Sequence, residues 1–357
     1  MREETAGFAD TARDSSMAGG SFSTRPIAFW LIAVAILIFV MVVVGGITRL
    51  TRSGLSIVEW NPIMGALPPL TEQQWLDELA KYRLTPEYRQ VNAGMSLDAF
   101  KRIYYVEWFH RLLGRLIGLV FFLPLVYFAV RRRIPKPLIP HLVAIFALGA
   151  LQGALGWFMV QSGLIDVPRV SPYRLTAHLG LAVAIYAYVV WIALGLLFPQ
   201  PAGDGTAGLR RFGRVVTGLV VLMILAGGFV AGTRAGLAFN TFPLMVGHLV
   251  PPGLYAMEPW WVNNFENVAT VQFNHRMLAY VLLATAAVYW WRARAVPLSA
   301  ATRRAFDGLL AALLVQTGLG IATLLYVVPV GLGALHQAGA LVVLTAALYL
   351  NHRLRAA

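Results

Sequence analysis

The chain contains no cysteine, which excludes disulfide bonds and any thiolate metal site. It is also short of charge. Asp, Glu, Lys and Arg make up 13% of its 357 residues against 58% hydrophobic ones, a balance that excludes an ordinary soluble core and makes lipid the solvent. Acidic residues are the scarcer sign, 16 against 29 Lys and Arg, for a formal net charge of +13. No basic cluster with interleaved aromatics occurs outside short connections, so an anionic lipid leaflet accounts for that charge and no nucleic-acid partner is needed. The polar stretch 1–25 carries Glu3, Glu4, Asp10 and Asp14. That acidity argues against a mitochondrial transit peptide, and the long uncleaved-looking apolar helix after it against a secretory signal.

What is abundant is long apolar runs. Stretches of about 20 residues, the length that crosses the hydrocarbon of a bilayer, fall near 26–46, 107–130, 138–161, 175–198, 212–232, 269–291, 305–327 and 332–351. The expected fold is an all-α integral membrane protein with eight transmembrane helices. The connections after the second, fourth and sixth spans hold "RRRIPK", "RRFGR" and "RARA…RR", whereas "YVVPVGLG" between the last two spans is uncharged. By the bias of Lys and Arg toward the cytoplasm, both termini are expected inside, in a bacterial inner membrane. The long loop 47–106 should form a folded outer cap.

Blocks recur in the same order across the chain. "GGITRLTRSGLS" (Gly45 to Ser56) matches "GGFVAGTRAGLA" (Gly227 to Ala238), "EWFHRLLGR" matches "QFNHRMLAY", "LQGALGWF" matches "VQTGLGIA", and "LTAHLGLAV" matches "LGALHQAGALVV". The eight helices therefore read as two repeated four-helix bundles. The expected units are a polar tail 1–25, an N-terminal unit 26–198, a Pro/Gly-rich linker 199–209 and a C-terminal unit 210–357.

Each unit starts its second and fourth spans with a histidine: His110 and His178, then His275 and His336. One histidine near a span end is commonly just a hydrogen-bonding residue. Four in register across a repeat point instead to imidazoles facing each other within a bundle, a way of holding haem iron axially. Two histidines per unit and one carboxylate are too few for a closed zinc site. His141, His248 and His352 lack repeat partners. Close-packed glycines, among them Gly114, Gly118, Gly153, Gly156, Gly318 and Gly320, suit either helix packing or a flat macrocycle between helices. Arg111 and Arg276 follow a histidine directly, and Arg52 and Arg234 end the first and fifth spans, so all four are candidates for pairing with haem propionates. Glu107 lies one helical turn before His110. The second unit has Gln272 there, so an ionisable group stands beside only one of the two histidine pairs.

The blocks "GGITRLTRSGLSIVEWNPIMGALPPLT", "EWFHRLLGR", "TAHLGLA", "GGFVAGTRAGLAFNTFPLM", "FNHRMLAY" and "ALHQAGA" resemble the haem A synthase family from about Pro26 to Arg353, in its cysteine-free proteobacterial and mitochondrial branch. The resemblance implies an oxidoreductase of haem biosynthesis that oxidises a ring methyl of haem O to the formyl of haem A, through an alcohol and a hydrated aldehyde. It implies a resident haem b on His275 and His336, with His110 and His178 lining the substrate site and Glu107 as the essential carboxylate. It also implies haem O synthase and cytochrome c oxidase assembly factors as partners; a homo-oligomer is compatible with the sequence. The same four histidines would equally serve a dihaem b-type cytochrome exchanging electrons with quinone. A repeat-built transporter lacks the broken helix and midplane acid such proteins use.

Overall fold

The computed structural model describes residues 23–61, 64–165, 167–201, 203 and 205–356. The tail expected over 1–25 falls outside them up to residue 22. Among the described residues the regular structure is helical, with only an isolated two-residue bridge between Met245 and His248. The long helices are α1 Arg25–Leu50, α4 Leu97–Val130, α5 Ile139–Leu164, α6 Pro172–Leu197, α7 Ala207–Thr233, α8 Val268–Arg294, α9 Ala300–Leu325 and α10 Val330–Arg353; between α1 and α4 lie the shorter α2 Glu72–Arg83 and α3 Pro86–Gln90.

Seven of these helices are long and apolar enough to cross a membrane, so the chain is a multi-pass membrane protein. The remaining long helix is α8, 27 residues in length, whose polar opening run Gln272, Asn274, His275 and Arg276 dilutes its apolar character. Helix α4 is 34 residues long and starts ten residues before the expected span, because Ser96 caps it by accepting from the Ala99 N–H.

Helices α1, α6, α7 and α10 supply the centre. Val34 and Ile38, Val183 and Val189, Val216 and Val220, and Leu341 and Leu344 are buried in one continuous apolar cluster. Helix α1 packs on α4, α6 and α10, and α7 packs on α6, α8 and α10, leaving α4 with α5 and α8 with α9 at the flanks. Tight approaches need glycine: a Cβ on Gly46 of α1 would fall 2.0 Å from Gln337 Oε1 of α10, whose amide donates to the Val42 carbonyl at 2.9 Å.

The segment between α1 and α4 is a cap with its own aromatic core of Trp75, Tyr82, Phe100 and Tyr104. A capping box fixes the start of α2, with the Gln74 N–H on Thr71 Oγ1 and the Thr71 N–H on Gln74 Oε1. A second, shorter cap that the sequence did not single out joins α7 to α8, organised by the buried Asn263, which exchanges hydrogen bonds with Met257. Both caps lie at one end of the bundle. Arg49 at the end of α1 donates to the Ala231 carbonyl at the end of α7 at 2.7 Å, and Tyr173 at the start of α6 donates to Glu266 in the second cap at 2.8 Å.

Candidate functional site: two histidine pairs beneath the caps

Each of the four repeated histidines sits against a glycine of the preceding long helix. A Cβ at Gly45 would stand 3.1 Å from His110 Cε1, one at Gly156 2.9 Å from His178 Cε1, one at Gly227 3.4 Å from His275 Cε1, and one at Gly320 2.8 Å from His336 Cε1. At Gly156 and Gly320 a larger residue would push the ring from its seat, at Gly45 the ring would have to give slightly, and at Gly227 the contact would be an ordinary one. Gly156 and Gly320 were among the glycines noted from sequence; Gly45 and Gly227 were not, although both stand first in a repeated "GG" pair.

The rings also lie near one another in the expected pairs, His110 with His178 and His275 with His336. All four Nδ1 atoms are buried without a hydrogen-bond partner among the described residues. The histidines without repeat partners behave differently. His141 Nδ1 shares a hydrogen bond with the Tyr188 hydroxyl at 2.6 Å, and His352 Nε2 one with Arg355 at 2.7 Å. Unpaired buried polar atoms cost free energy, so four of them in matching positions mark a place built for something other than packing.

A glutamine backs each pair. Gln152 of α5 donates to the His178 carbonyl at 3.1 Å and Gln316 of α9 to the His336 carbonyl at 2.8 Å, while both Oε1 atoms stay buried and unpartnered. These residues begin the matched blocks "QGALG" and "QTGLG", where the recurring glutamine was the available signal.

Glu107 does not face open space beside His110. Its Oε2 accepts from the Ser56 N–H at 2.7 Å, the Ser56 hydroxyl at 2.8 Å and the Ile57 N–H at 2.9 Å, and its Oε1 takes two donors from Arg111, at 2.7 and 3.1 Å. Arg111 in turn reaches the carbonyls of Ile57 and Glu59. The second half repeats this clamp with opposite polarity: Gln272 donates to the Ala235 carbonyl at 2.7 Å and accepts from Arg276, which also binds the carbonyls of Phe239 and Thr241. Where the loop offers N–H groups the helix carries a carboxylate; where it offers a carbonyl, a carboxamide. Hydrogen-bond polarity therefore accounts for the Glu107/Gln272 difference at these two turns.

Arg111 and Arg276 hold the caps down with their guanidinium forks. Arg52 and Arg234 are placed otherwise. Each stands just past a helix end in a left-handed conformation, φ +56° and +59°, which side-chain-bearing residues seldom adopt. Arg234 Nε is buried and unpartnered, and Arg49 and Arg169 lie in the same electrostatic cluster.

The donor set suits haem. Two neighbouring imidazoles with unpartnered Nδ1 atoms, seated against glycines of the preceding helices, suit an axially held macrocycle, although at His178 the Gln152 amide lies 3.4 Å from Nε2 and would have to yield it. No group of three or more His, Cys, Asp or Glu that could enclose a bare metal ion occurs among the described residues.

Fold and site together define a helical membrane protein whose polar interior is organised around two histidine pairs beneath caps at one end. Comparison with known proteins narrows the class. The family model described as COX15-CtaA, cytochrome oxidase assembly protein, matches residues 28–348. The chain is 56% identical over 334 residues to the heme A synthase of Nitrosospira multiformis, covering 93% of this chain and 94% of that one. It is 53% identical over 333 residues to the heme A synthase of Nitrosomonas eutropha (92% and 94% covered) and 53% identical over 328 residues to that of Parvibaculum lavamentivorans (92% and 94% covered). The chain belongs to the COX15-CtaA family, as its motifs indicated.

Proposed function

We propose that the chain is an oxidoreductase of haem A biosynthesis that converts a ring methyl of haem O to the formyl of haem A. What carries this reading is the fourfold match of glycine-seated imidazoles with unpartnered Nδ1 atoms, together with near-complete coverage by relatives called heme A synthase. The chain works as a tandem of two four-helix units with eight spans, both termini on the cytoplasmic side of a bacterial inner membrane and both caps on the outer side. The basic connections at the opposite end from the caps support that orientation.

His275 and His336 are the pair that would hold a resident haem b, which supplies one-electron transfer when bound. His110 and His178 would hold the substrate haem O by its iron and so fix the ring over the first unit. Building the site within the membrane suits a substrate with a long isoprenoid tail. Glu107 and Arg111 keep Ser56 to Glu59 closed over the His110 side, which excludes water from the reacting edge. Two successive two-electron oxidations of one carbon release protons, and for Glu107 to accept one it must exchange donors it already holds. Haem O synthase and cytochrome c oxidase assembly factors are the partners that an insoluble substrate and product require.

Extraction of pigment from the purified protein tests the class. A haem A synthase yields haem b together with haem O or haem A, whereas a dihaem electron carrier yields haem b alone. A protein expressed with abundant haem that yields no pigment contradicts both.

A further inference from the structure

Glu87, on the short cap helix α3, is a carboxylate in an unusual place. It is 4% exposed, and its Oε2 is buried with no hydrogen-bond partner among the described residues. The charged and titratable groups that face it come from five elements: Glu107 of α4, Arg49 of α1, Arg52 of the turn after α1, Arg234 after α7, and Tyr82 of α2. The arginines belong to both halves, and Arg49 bridges them through the Ala231 carbonyl. A cleft of about 480 Å³, lined by Ser162, Arg169, Tyr173, Thr233 and Glu266 among others, is linked to this cluster through Arg169, although none of Glu87, Arg49, Arg52 and Arg234 lines it. Arg169 is coupled to both Arg49 and Arg234.

This is a basic cluster with two buried acids near it, of which Glu107 is already bonded to Ser56, Ile57 and Arg111 while Glu87 Oε2 has no partner among the described residues. An ionised Glu87 answers part of the positive charge and repels any incoming anion. A protonated Glu87 leaves the guanidiniums to a ligand and offers it an O–H donor.

We propose that Glu87 with Arg49, Arg52 and Arg234 forms a carboxylate-receiving site at the cap end between the two halves, in which Glu87 takes up one proton as a carboxylate of a bound macrocycle settles among the guanidiniums. The site rests on the haem reading above and adds to it a residue and a linked proton. The proton adds to Glu87 Oε2 and comes from solvent; no electron moves. Burial, and next the nearby charge of Glu107, push Glu87 up to about 7 against the opposing pull of Arg234, Arg52 and Arg49. Below that pH the acid already holds its proton, and ligand binding is insensitive to pH. Above it, binding must bring a proton, and affinity falls by up to about tenfold per pH unit.

The test titrates the full-length, haem-depleted chain in lipid nanodiscs with iron protoporphyrin IX, and separately with its dimethyl ester, from pH 5.5 to about 8.5, following absorbance. For the wild type the free acid should lose affinity above neutral pH while the ester shows no such slope. In Glu87→Gln the free acid should bind with a flat profile, close to the wild-type low-pH affinity. An ester that shows the same slope as the acid in the wild type overturns the proposal without recourse to any variant. So does a slope that persists in Glu87→Gln. If neither porphyrin binds at any pH, the haem reading falls and takes the proposal with it; binding that is tight but flat with pH removes the proposal alone.

Discussion

Replacing Glu107 by glutamine exchanges one carboxylate oxygen for an NH₂ group at a position surrounded by donors. The amide has two ways to sit. With its oxygen kept on Arg111, the NH₂ confronts the N–H groups of Ser56 and Ile57, which now stand 2.7 and 2.9 Å from Glu107 Oε2. Stranding buried donors costs roughly 1–3 kcal/mol each. With the oxygen turned to those N–H groups instead, the NH₂ meets Arg111, and breaking a buried ion pair costs about 3–5 kcal/mol. The Ser56 hydroxyl can rotate to accept, so the cheaper arrangement should cost about 2–5 kcal/mol, all of it at the loop that closes over the first histidine pair. Thermal unfolding and limited proteolysis of the 51–61 segment measure this directly: Glu107→Gln should expose the segment to cleavage, and Ser56→Ala should do so more weakly. The reciprocal Gln272→Glu should loosen the second cap, since a carboxylate oxygen would face the Ala235 carbonyl. If Glu107→Gln keeps wild-type stability and protease resistance yet abolishes haem A formation, the carboxylate acts on the substrate and the anchoring account is wrong.

The histidine seats give a graded series. His336→Ala or His275→Ala should abolish the low-spin bis-histidine haem spectrum, and His141→Ala should leave it intact. Gly320→Ala and Gly156→Ala, whose Cβ would lie 2.8 and 2.9 Å from a ring carbon, should lower haem retention, whereas Gly227→Ala at 3.4 Å should be tolerated; equal effects at all three would refute the seating argument. Glu87 predicts a pH dependence of stability. Its carboxyl is raised in the folded chain from the ordinary 4.5 to about 7, so its favourable contribution is full below pH 4.5 and is lost as pH rises through that window. The total is roughly 3 kcal/mol, and Glu87→Gln should remove that decline in chemical unfolding of the cap; an unchanged pH profile would contradict it.

Much of this molecule is written in its sequence, and the parts that are not have physical causes. Apolar runs found the membrane helices because transfer into lipid depends on composition alone. The run 269–291 corresponds to the long helix α8, whose polar stretch from Gln272 to Arg276 leaves it less apolar than the other seven. The histidine pairs were legible because matched blocks of the sequence put a histidine at equivalent positions of the long helices. The hydrogen-bond partners of Glu107 were not: helical spacing tells which face it shares with His110, but not that Ser56 and Ile57, some fifty residues earlier in the chain, return to meet it. Nor could the sequence show that Arg111 and Arg276 bind loop carbonyls, since it does not specify the paths of those loops. Glu87 gave no sign at all. It was not singled out from the sequence, and it is buried where the short helix α3 packs against α2 and α5.

The central claim is that this chain makes haem A from haem O. It is tested most directly by expressing the chain in a host that produces haem O but not haem A, then separating the extracted haems by chromatography with mass detection. Conversion should produce a haem that keeps the isoprenoid tail and carries a formyl in place of one ring methyl, and His110→Ala should abolish it. Unchanged haem O beside a protein that retains two equivalents of haem b would contradict the claim and make the chain a dihaem electron carrier.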